Sequence, residues 1–309
     1  MSTTRVSCPA RRTSTTSDFP PREAGRPASR DPRAPRWRGP DRARARDRTG
    51  EKGTSVNDRK PLLSVKELKK TYKTRDGELE ALGSVSFDIF PREFVSIVGP
   101  SGCGKTTLLK VIAGLLSKSG GDFFVDKDQF DPSREVGFVF QKSLLLHWRK
   151  VLDNVLLPIE ILRLDRNRYR DRARELLRLV GLEGFENNYP NELSGGMQQR
   201  VSIARALIHD PKLVLMDEPF GALDAITRER MNLELLRIWT ESRKTILFVT
   251  HGINEAVFLS DRIIVLSARP SRMVRTLDIG LPRPRVQEVR ISPDFGKYAF
   301  EIYQSLELT

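Results

Sequence analysis

Short apolar runs of strand length alternate with helical patterns from about residue 62 onward, while the residues before them carry almost no aliphatic positions. Leu62 to Leu68 and Glu80 to Ile89 predict two strands around a turn at Asp76-Gly77. Phe94 to Val98 is a β-rich run that stops at Gly99, and a helix is predicted from Lys105 to about Leu116. The runs Leu213–Met216, Thr245–Val249 and Ile263–Leu266 lack polar alternation, so they read as buried parallel strands of an α/β core. Between about residues 141 and 207 the pattern turns helical. There Asp165 is a predicted N-cap, Ala173, Leu176, Leu177 and Val180 follow helical spacing, and Gly181 closes the helix. The opposite face carries Arg166, Arg170, Arg174 and Arg178 and reads as a solvated basic face, with a docking face for a partner as the alternative. No apolar run approaches the roughly 20 residues that a membrane-spanning helix needs, and no internal repeat or heptad run appears.

Composition changes this picture mainly at the N-terminus. The chain has 309 residues and a net charge of +13. Residues 1–60 hold fourteen Arg and two Lys against seven acids, a net +9, which leaves +4 for the rest. The basic excess, which points toward nucleic acid, therefore belongs mostly to an Arg-, Pro-, Ser- and Thr-rich extension too poor in apolar surface to order itself. No apolar core follows Arg11-Arg12, as a secretory signal requires, whereas a transit peptide accommodates the lack of any acid before Asp18. A nucleic-acid-binding tail is a further reading. A start at the Val56 codon would remove the tail altogether, since Met197 is the next methionine after Met1. The two cysteines, Cys8 and Cys103, are far apart and match no metal spacing, so a disulfide framework is excluded and a reducing compartment fits.

The sharpest chemical signal is the string Gly99, Pro100, Ser101, Gly102, Cys103, Gly104, Lys105, Thr106 and Thr107. It fits G-x-x-x-x-G-K-[ST] between a predicted strand and a predicted helix, the context the motif requires. Glycines let backbone N–H groups wrap a phosphate, and the helix N-terminus adds favourable potential. Lys105 is then expected to reach the β- and γ-phosphates of ATP, and Thr106 to ligate Mg²⁺. Cys103 reads as a small loop residue, with a redox role as the alternative. Leu213 to Met216 ends in two carboxylates, at the sheet edge where such folds bind ligands. Asp217 suits the Mg²⁺ shell, and Glu218 is placed to deprotonate an attacking water.

Leu193-Ser194-Gly195-Gly196-Met197-Gln198-Gln199-Arg200 resembles the signature of ABC ATPases, which other phosphate-loop ATPases lack. The resemblance runs from about Leu62 to Asp278. It implies an α/β cassette with a mainly parallel sheet core, an antiparallel β subdomain and a helical signature subdomain. It places a cassette at 61–280, the helical part at about 141–207 and a C-terminal extension at 281–309. It further implies that Ser194, Gly195 and Gly196 face a nucleotide held by a second copy of the chain, in a head-to-tail pair enclosing two ATP molecules. Tyr72 is similar to the aromatic residue that stacks on adenine. Gln141 resembles the glutamine that contacts Mg²⁺ and senses a membrane subunit. Asp224 lies in a string, Ala222-Leu223-Asp224, that resembles the loop coupling the two sites. His251 resembles the histidine that touches the γ-phosphate, whereas His147 and His209 match no motif. The family usually has an acid after that histidine, and Gly252 departs from it, which puts the turnover rate in doubt.

The segment Leu146 to Val155, the string Met216 to Asp224 and Val265-Leu-Ser-Ala-Arg-Pro270 are similar to nitrate, sulfonate and taurine importers, although proline is more usual than His147 before the tryptophan. This implies an ATP-hydrolysing subunit, peripheral on the cytoplasmic face of the inner membrane. Its partners are integral permease subunits and, indirectly, a solute-binding protein. Efflux ATPases share the same motifs, and an ABC ATPase acting on DNA or the ribosome is the third class. This chain has neither the inserted coiled coil nor the second cassette of those types. For the N-terminal extension, intact mass spectrometry of the native protein decides directly. A full-length mass removes the Val56 start.

Overall fold

The computed structural model describes residues 60–307 apart from 76 and 126–129; the extension up to residue 59, with Cys8, lies outside the described residues, as does Asp76. Among the described residues nine strands join in one sheet of order β4-β1-β2-β9-β8-β3-β7-β6-β5. In chain order these are β1 (Leu63–Thr74), β2 (Gly77–Ile89), β3 (Phe94–Val98), β4 (Gly120–Val125) and β5 (Val136–Val139), followed by β6 (Leu213–Asp217), β7 (Thr245–Val249), β8 (Arg262–Leu266) and β9 (Ser271–Asp278). The run β8-β3-β7-β6-β5 is parallel throughout. On the other side, β1 is antiparallel to both β2 and β4. The two halves meet at β9, antiparallel to β8 and parallel to β2.

The core strands are apolar on both faces because each face feeds a different core. Phe94, Val98, Val214, Met216, Ile246 and Phe248 enter one cluster with the helical subdomain and the C-terminal helix. Their neighbours Val95, Ile97, Leu213, Leu215, Leu247 and Val249 enter a second cluster, with the first helix and the antiparallel strands. The period of two along a strand thus sorts a continuous apolar run between two cores.

The helices are α1 (Lys105–Ile112), α2 (Pro132–Glu135), α3 (Val151–Val155), α4 (Leu157–Ile161), α5 (Arg166–Leu179), α6 (Gly195–Leu207), α7 (Ala225–Ser242), α8 (Ile253–Leu259) and α9 (Pro293–Glu307). As expected from the spacing, Asp165 caps α5 by accepting from the Asn167 N–H, and Ala173, Leu176, Leu177 and Val180 are buried. On its outer face Arg166 pairs with Asp153 and Glu160, Arg174 with Asp171 and Arg178 with Glu183, so much of the basic stripe is neutralised locally. Three expectations shift. The first two strands run on to their turn. Helix α1 stops at Ile112, with Ala113 as its C-cap and Gly114 beyond it at φ +71°. Residues 141–150 form no helix. They fold around the buried Asn154, whose amide N–H groups donate to the carbonyls of Leu146, Arg149 and Lys150 and whose Oδ1 accepts from the Leu146 N–H.

Residues beyond Asp278 fold back on the core that the sheet forms with the helices. Phe295 and Ile302 of α9 join the first core cluster. The buried Arg285 guanidinium donates to the carbonyls of Val257, Phe258 and Ser260 at the C-terminal end of α8, and to those of Ile279 and Leu281. Burial pulls its pKa down to about 10, yet the charge sits where the α8 dipole and unpaired carbonyls favour a cation. Replacing Arg285 with Ala leaves those carbonyls without donors, and urea denaturation should show a loss of about 3 kcal/mol. Arg285→Lys should recover only part of it, because an ammonium lacks the planar fork.

Candidate functional site

Four adjacent strands, β3, β7, β6 and β5, end at the same edge of the sheet, because they are parallel and their registers align Ile97, Val249 and Asp217 side by side. That edge therefore collects the phosphate loop after β3, His251 after β7, Asp217 and Glu218 at the end of β6, and Gln141 after β5.

The loop turns on two left-handed glycines, Gly102 at φ +77° and Gly104 at φ +107°. At Gly104 a Cβ would lie 2.8 Å from the Ala81 carbonyl oxygen, so the loop is packed directly on β2. Cys103 is buried beneath the loop, and burial pushes its thiol pKa up. That opposes thiolate chemistry and fits a small packing residue better than a redox one. Lys105 is also buried; its Nζ donates to the carbonyls of Gly99 at 2.8 Å and Pro100 at 2.9 Å. Among the described residues no carboxylate pairs with it. A buried ammonium held only by neutral carbonyls has charge left to offset, which an anionic phosphate group would supply.

Thr106 Oγ1 donates to Asp217 Oδ1 at 2.8 Å. Burial raises the Asp217 pKa, the Thr106 bond opposes that shift and the neighbouring Glu218 adds to it. These two hard oxygens at the mouth of the loop fit Mg²⁺, an ion that keeps few protein ligands and is shared with phosphate. Among the described residues there is no group of three or more His, Cys, Asp or Glu side chains able to cage a metal by themselves. The Tyr72 hydroxyl is 3.2 Å from Thr107 Oγ1, and Lys70 Nζ lies 5.2 Å from the centre of the Tyr72 ring.

Glu218 is where the strand ends converge. Gln141 Nε2 donates to its Oε2 at 3.4 Å, and His251 Nδ1 lies 3.3 Å from the same oxygen. Its backbone is at φ +43°, held by a bond from its N–H to the Val249 carbonyl at 2.9 Å. A left-handed glutamate at a sheet edge is a local cost that the surrounding bonds sustain.

The remaining predicted residues lie in a second group. Ser194 caps α6 by accepting from the Met197 N–H, and both Ser194 and Gly195 are exposed. A Cβ at Gly196 would touch Thr227 at 3.5 Å, and Thr227 donates its N–H to Asp224, the cap of α7. That bond holds the Asp224 carboxyl below its ordinary range. Among the described residues no hydrogen bond joins Ser194, Gly195 or Gly196 to residues 99–107. His209 sits at the end of α6, 3.2 Å from the Val136 carbonyl, and His147 is exposed.

Sequence reasoning missed the parts that tie these groups together. Arg269 donates twice to the Gly102 carbonyl, at 3.1 and 2.6 Å. Gln199 donates to the Phe140 carbonyl at 3.1 Å, and Arg205 donates to the carbonyls of Leu144 and Ser143 at 2.8 and 2.6 Å. The signature helix thus holds the segment on both sides of Gln141. The one available signal was polar residues on the apolar face of α6.

The ABC transporter family matches residues 82–221. An uncharacterized ABC transporter ATP-binding protein of Methanocaldococcus jannaschii is 46% identical over 249 residues, 80% of this chain and 92% of the relative. The aliphatic sulfonates import ATP-binding protein SsuB of Bacillus cereus is 40% identical over 247 residues, 79% of this chain and 96% of that protein. Among solved structures, a bacterial ABC transporter cassette seen as a dimer is 37% identical with a TM-score of 0.62, covering 72% of this chain and 100% of its own. A dimeric post-hydrolysis cassette bound to ADP and Pi is 37% identical with a TM-score of 0.61, at the same coverage.

The raised Asp217 pKa yields a test. Because the folded value lies above the unfolded one, ionised Asp217 disfavours the fold at pH values above the folded pKa. The effect vanishes below the unfolded pKa, where both states are protonated. Asp217→Asn keeps an acceptor for Thr106 and should melt higher than the parent at pH 8 without nucleotide. The gap should close as the pH falls into the ordinary carboxylate range, as differential scanning calorimetry would record.

Proposed function

The chain belongs to the ABC transporter ATP-binding proteins and is an ATPase coupled to transport, and on that premise we propose that it energises the import of a small oxoanionic solute such as a sulfonate, nitrate or taurine. The similarity to a sulfonate-import ATPase supports the import reading. The convergence of Gln141 and His251 on the Glu218 carboxylate carries the assignment of the hydrolytic centre.

In this reading Tyr72 packs against the adenine and Lys105 binds the β- and γ-phosphates, with the backbone of residues 99–107 around them. Thr106 and Asp217 would hold Mg²⁺, which would neutralise phosphate charge when bound. Glu218 takes a proton from water as the water attacks the γ-phosphorus, the bond from that phosphorus to the β–γ bridging oxygen breaks, ADP leaves with that oxygen and inorganic phosphate is formed; His251 stabilises the γ-phosphate. Gln141 links this carboxylate to the helical subdomain. Within one chain the Ser194 helix terminus and the phosphate loop form separate groups, so the site is completed by Ser194 of the partner subunit. Head-to-tail pairing puts that helix terminus, with its N–H groups and positive dipole end, on the γ-phosphate. Asp224 lies beside the signature glycines and suits a link between the two sites.

The permease contact falls on residues 144–148. Leu144 and Trp148 are 54% and 74% exposed, while the Leu144 carbonyl is held by Arg205 of α6 and the Leu146 N–H and Arg149 carbonyl, on either side of Trp148, by Asn154 of α3. Force on Trp148 therefore reaches Gln141 and the signature helix together. In this reading the chain attaches to the membrane peripherally, through the permease subunits; no helix among the described residues is long and apolar enough to span.

Glu218→Gln should bind ATP, lose at least about 100-fold in hydrolysis rate and accumulate as a closed dimer on size-exclusion chromatography with ATP; near-parental turnover would refute the role of Glu218. Lys105→Ala should instead weaken ATP binding itself, by roughly ten- to a hundredfold, the worth of a lost charged hydrogen bond, in a fluorescent-nucleotide titration. ATP-dependent sulfonate uptake by the complex reconstituted in vesicles tests import, and outward movement would assign the chain to efflux instead.

A further inference from the structure

His251 stands on a three-residue turn between β7 and α8, and its side chain is 51% exposed. Among the described residues Glu218 is the one polar side chain of the site that reaches the ring, so the backbone on either side is left to aim it. Thr250 precedes it and is buried. The Thr250 hydroxyl donates to Glu255 Oε2 and accepts from the Gly252 N–H at 2.9 Å. A hydroxyl has one proton and two lone pairs. With the proton committed to Glu255, a lone pair remains directed at Gly252, and the bond closes a loop across His251. Threonine's branched Cβ restricts its rotamer, so the hydroxyl cannot easily swing away.

Glu255 is buried on the first turn of α8, although hydrolysis has no direct use for it. Burial raises its pKa, while the Thr250 bond and the charge of Arg228 act in the other direction. It borders a cavity of about 670 Å³ shared by Arg228, Asn232, His251, Arg290 and Tyr303, so the back of the histidine turn faces both α7 and the C-terminal segment. The far end of α8 is fixed by Arg285. Gly252 provides no side-chain cap for α8. A Cβ there would meet Glu255 Cβ at 3.3 Å and Thr250 Oγ1 at 3.4 Å. The tie across the turn therefore comes from the Thr250–Glu255 pair.

We propose that Glu255 is the positioning residue for His251, acting through the Thr250 hydroxyl to hold the turn that aims the imidazole at the hydrolytic centre. The proposal rests on the role given to His251 above. Loss of the clamp leaves the nucleotide cradle of residues 99–107 untouched and lets the imidazole wander by about an ångström, a displacement that can cost on the order of a hundredfold in rate.

The test uses the full-length chain and steady-state ATP hydrolysis. Glu255→Ala and the isosteric Thr250→Val should each lower kcat by about ten- to a hundredfold with the KM for ATP within about threefold of the parent. Glu255→Gln, whose amide oxygen still accepts from Thr250, should restore most of the rate. In a His251→Ala background, single-turnover rates should show no further loss on adding Glu255→Ala. A merely structural glutamate would raise KM while lowering kcat and melting temperature, and its effect would multiply with that of His251→Ala. Either that multiplicative loss or full kcat in both Glu255→Ala and Thr250→Val overturns the proposal. Should Glu255→Ala not fold, Thr250→Val decides alone. Full activity in His251→Ala would instead overturn the histidine assignment, so the two failures are distinguishable.

Discussion

Parallel pairing of β3 with β7 and of β7 with β6 is the constraint on which everything else depends. Register places Ile97 opposite Val249 and Val249 opposite Asp217, so three segments distant in sequence end on adjacent strands, each one strand spacing from the next. A slip by one residue would exchange the two apolar faces of a strand and turn its terminal side chain away from the site. The two separate core clusters exclude such slips, since each face of each strand has its own partners. Stability of the core and geometry of the site are in this respect one property.

At that edge the charges are arranged in tension. Lys105 is buried among carbonyls with no acid partner among the described residues, Asp217 is buried with its ionised form disfavoured, and Glu218 holds a left-handed backbone. None of these serves the free protein's stability. Under the function proposed above, a polyphosphate and a divalent cation would offset the buried charges of Lys105 and Asp217.

Polar side chains on otherwise apolar elements bind the subdomains into one device. Gln199 and Arg205 project from the signature helix to the backbone around Gln141, Asn154 fixes the exposed loop that follows, Arg269 grips the phosphate loop, and Arg285 holds the helix after His251. Each donates to backbone carbonyls rather than to acids. Such bonds fix position without adding charge pairs, and those made by the buried Asn154 and Arg285 are costly to break.

The sequence by itself determined the phosphate loop, the paired carboxylates, the signature string and the apolar strands, because each is local. A glycine spacing, a run of aliphatic residues or an N-cap is a property of neighbouring positions, and α5 with its Asp165 cap was legible on that ground. Strands of four residues such as β5, the amphipathic β9 and helices α7 to α9 escaped, since short or mixed patterns take their identity from what they pack against. The loop at 141–150 was misread as helical because Asn154, not periodicity, decides its shape. Only the tertiary structure decided that Gln141, Glu218 and His251 meet at one oxygen, that the signature residues belong to another group, and that Thr250 and Glu255 stand behind the histidine. These relations join residues far apart in the chain through sheet register and buried hydrogen bonds, which no local pattern encodes.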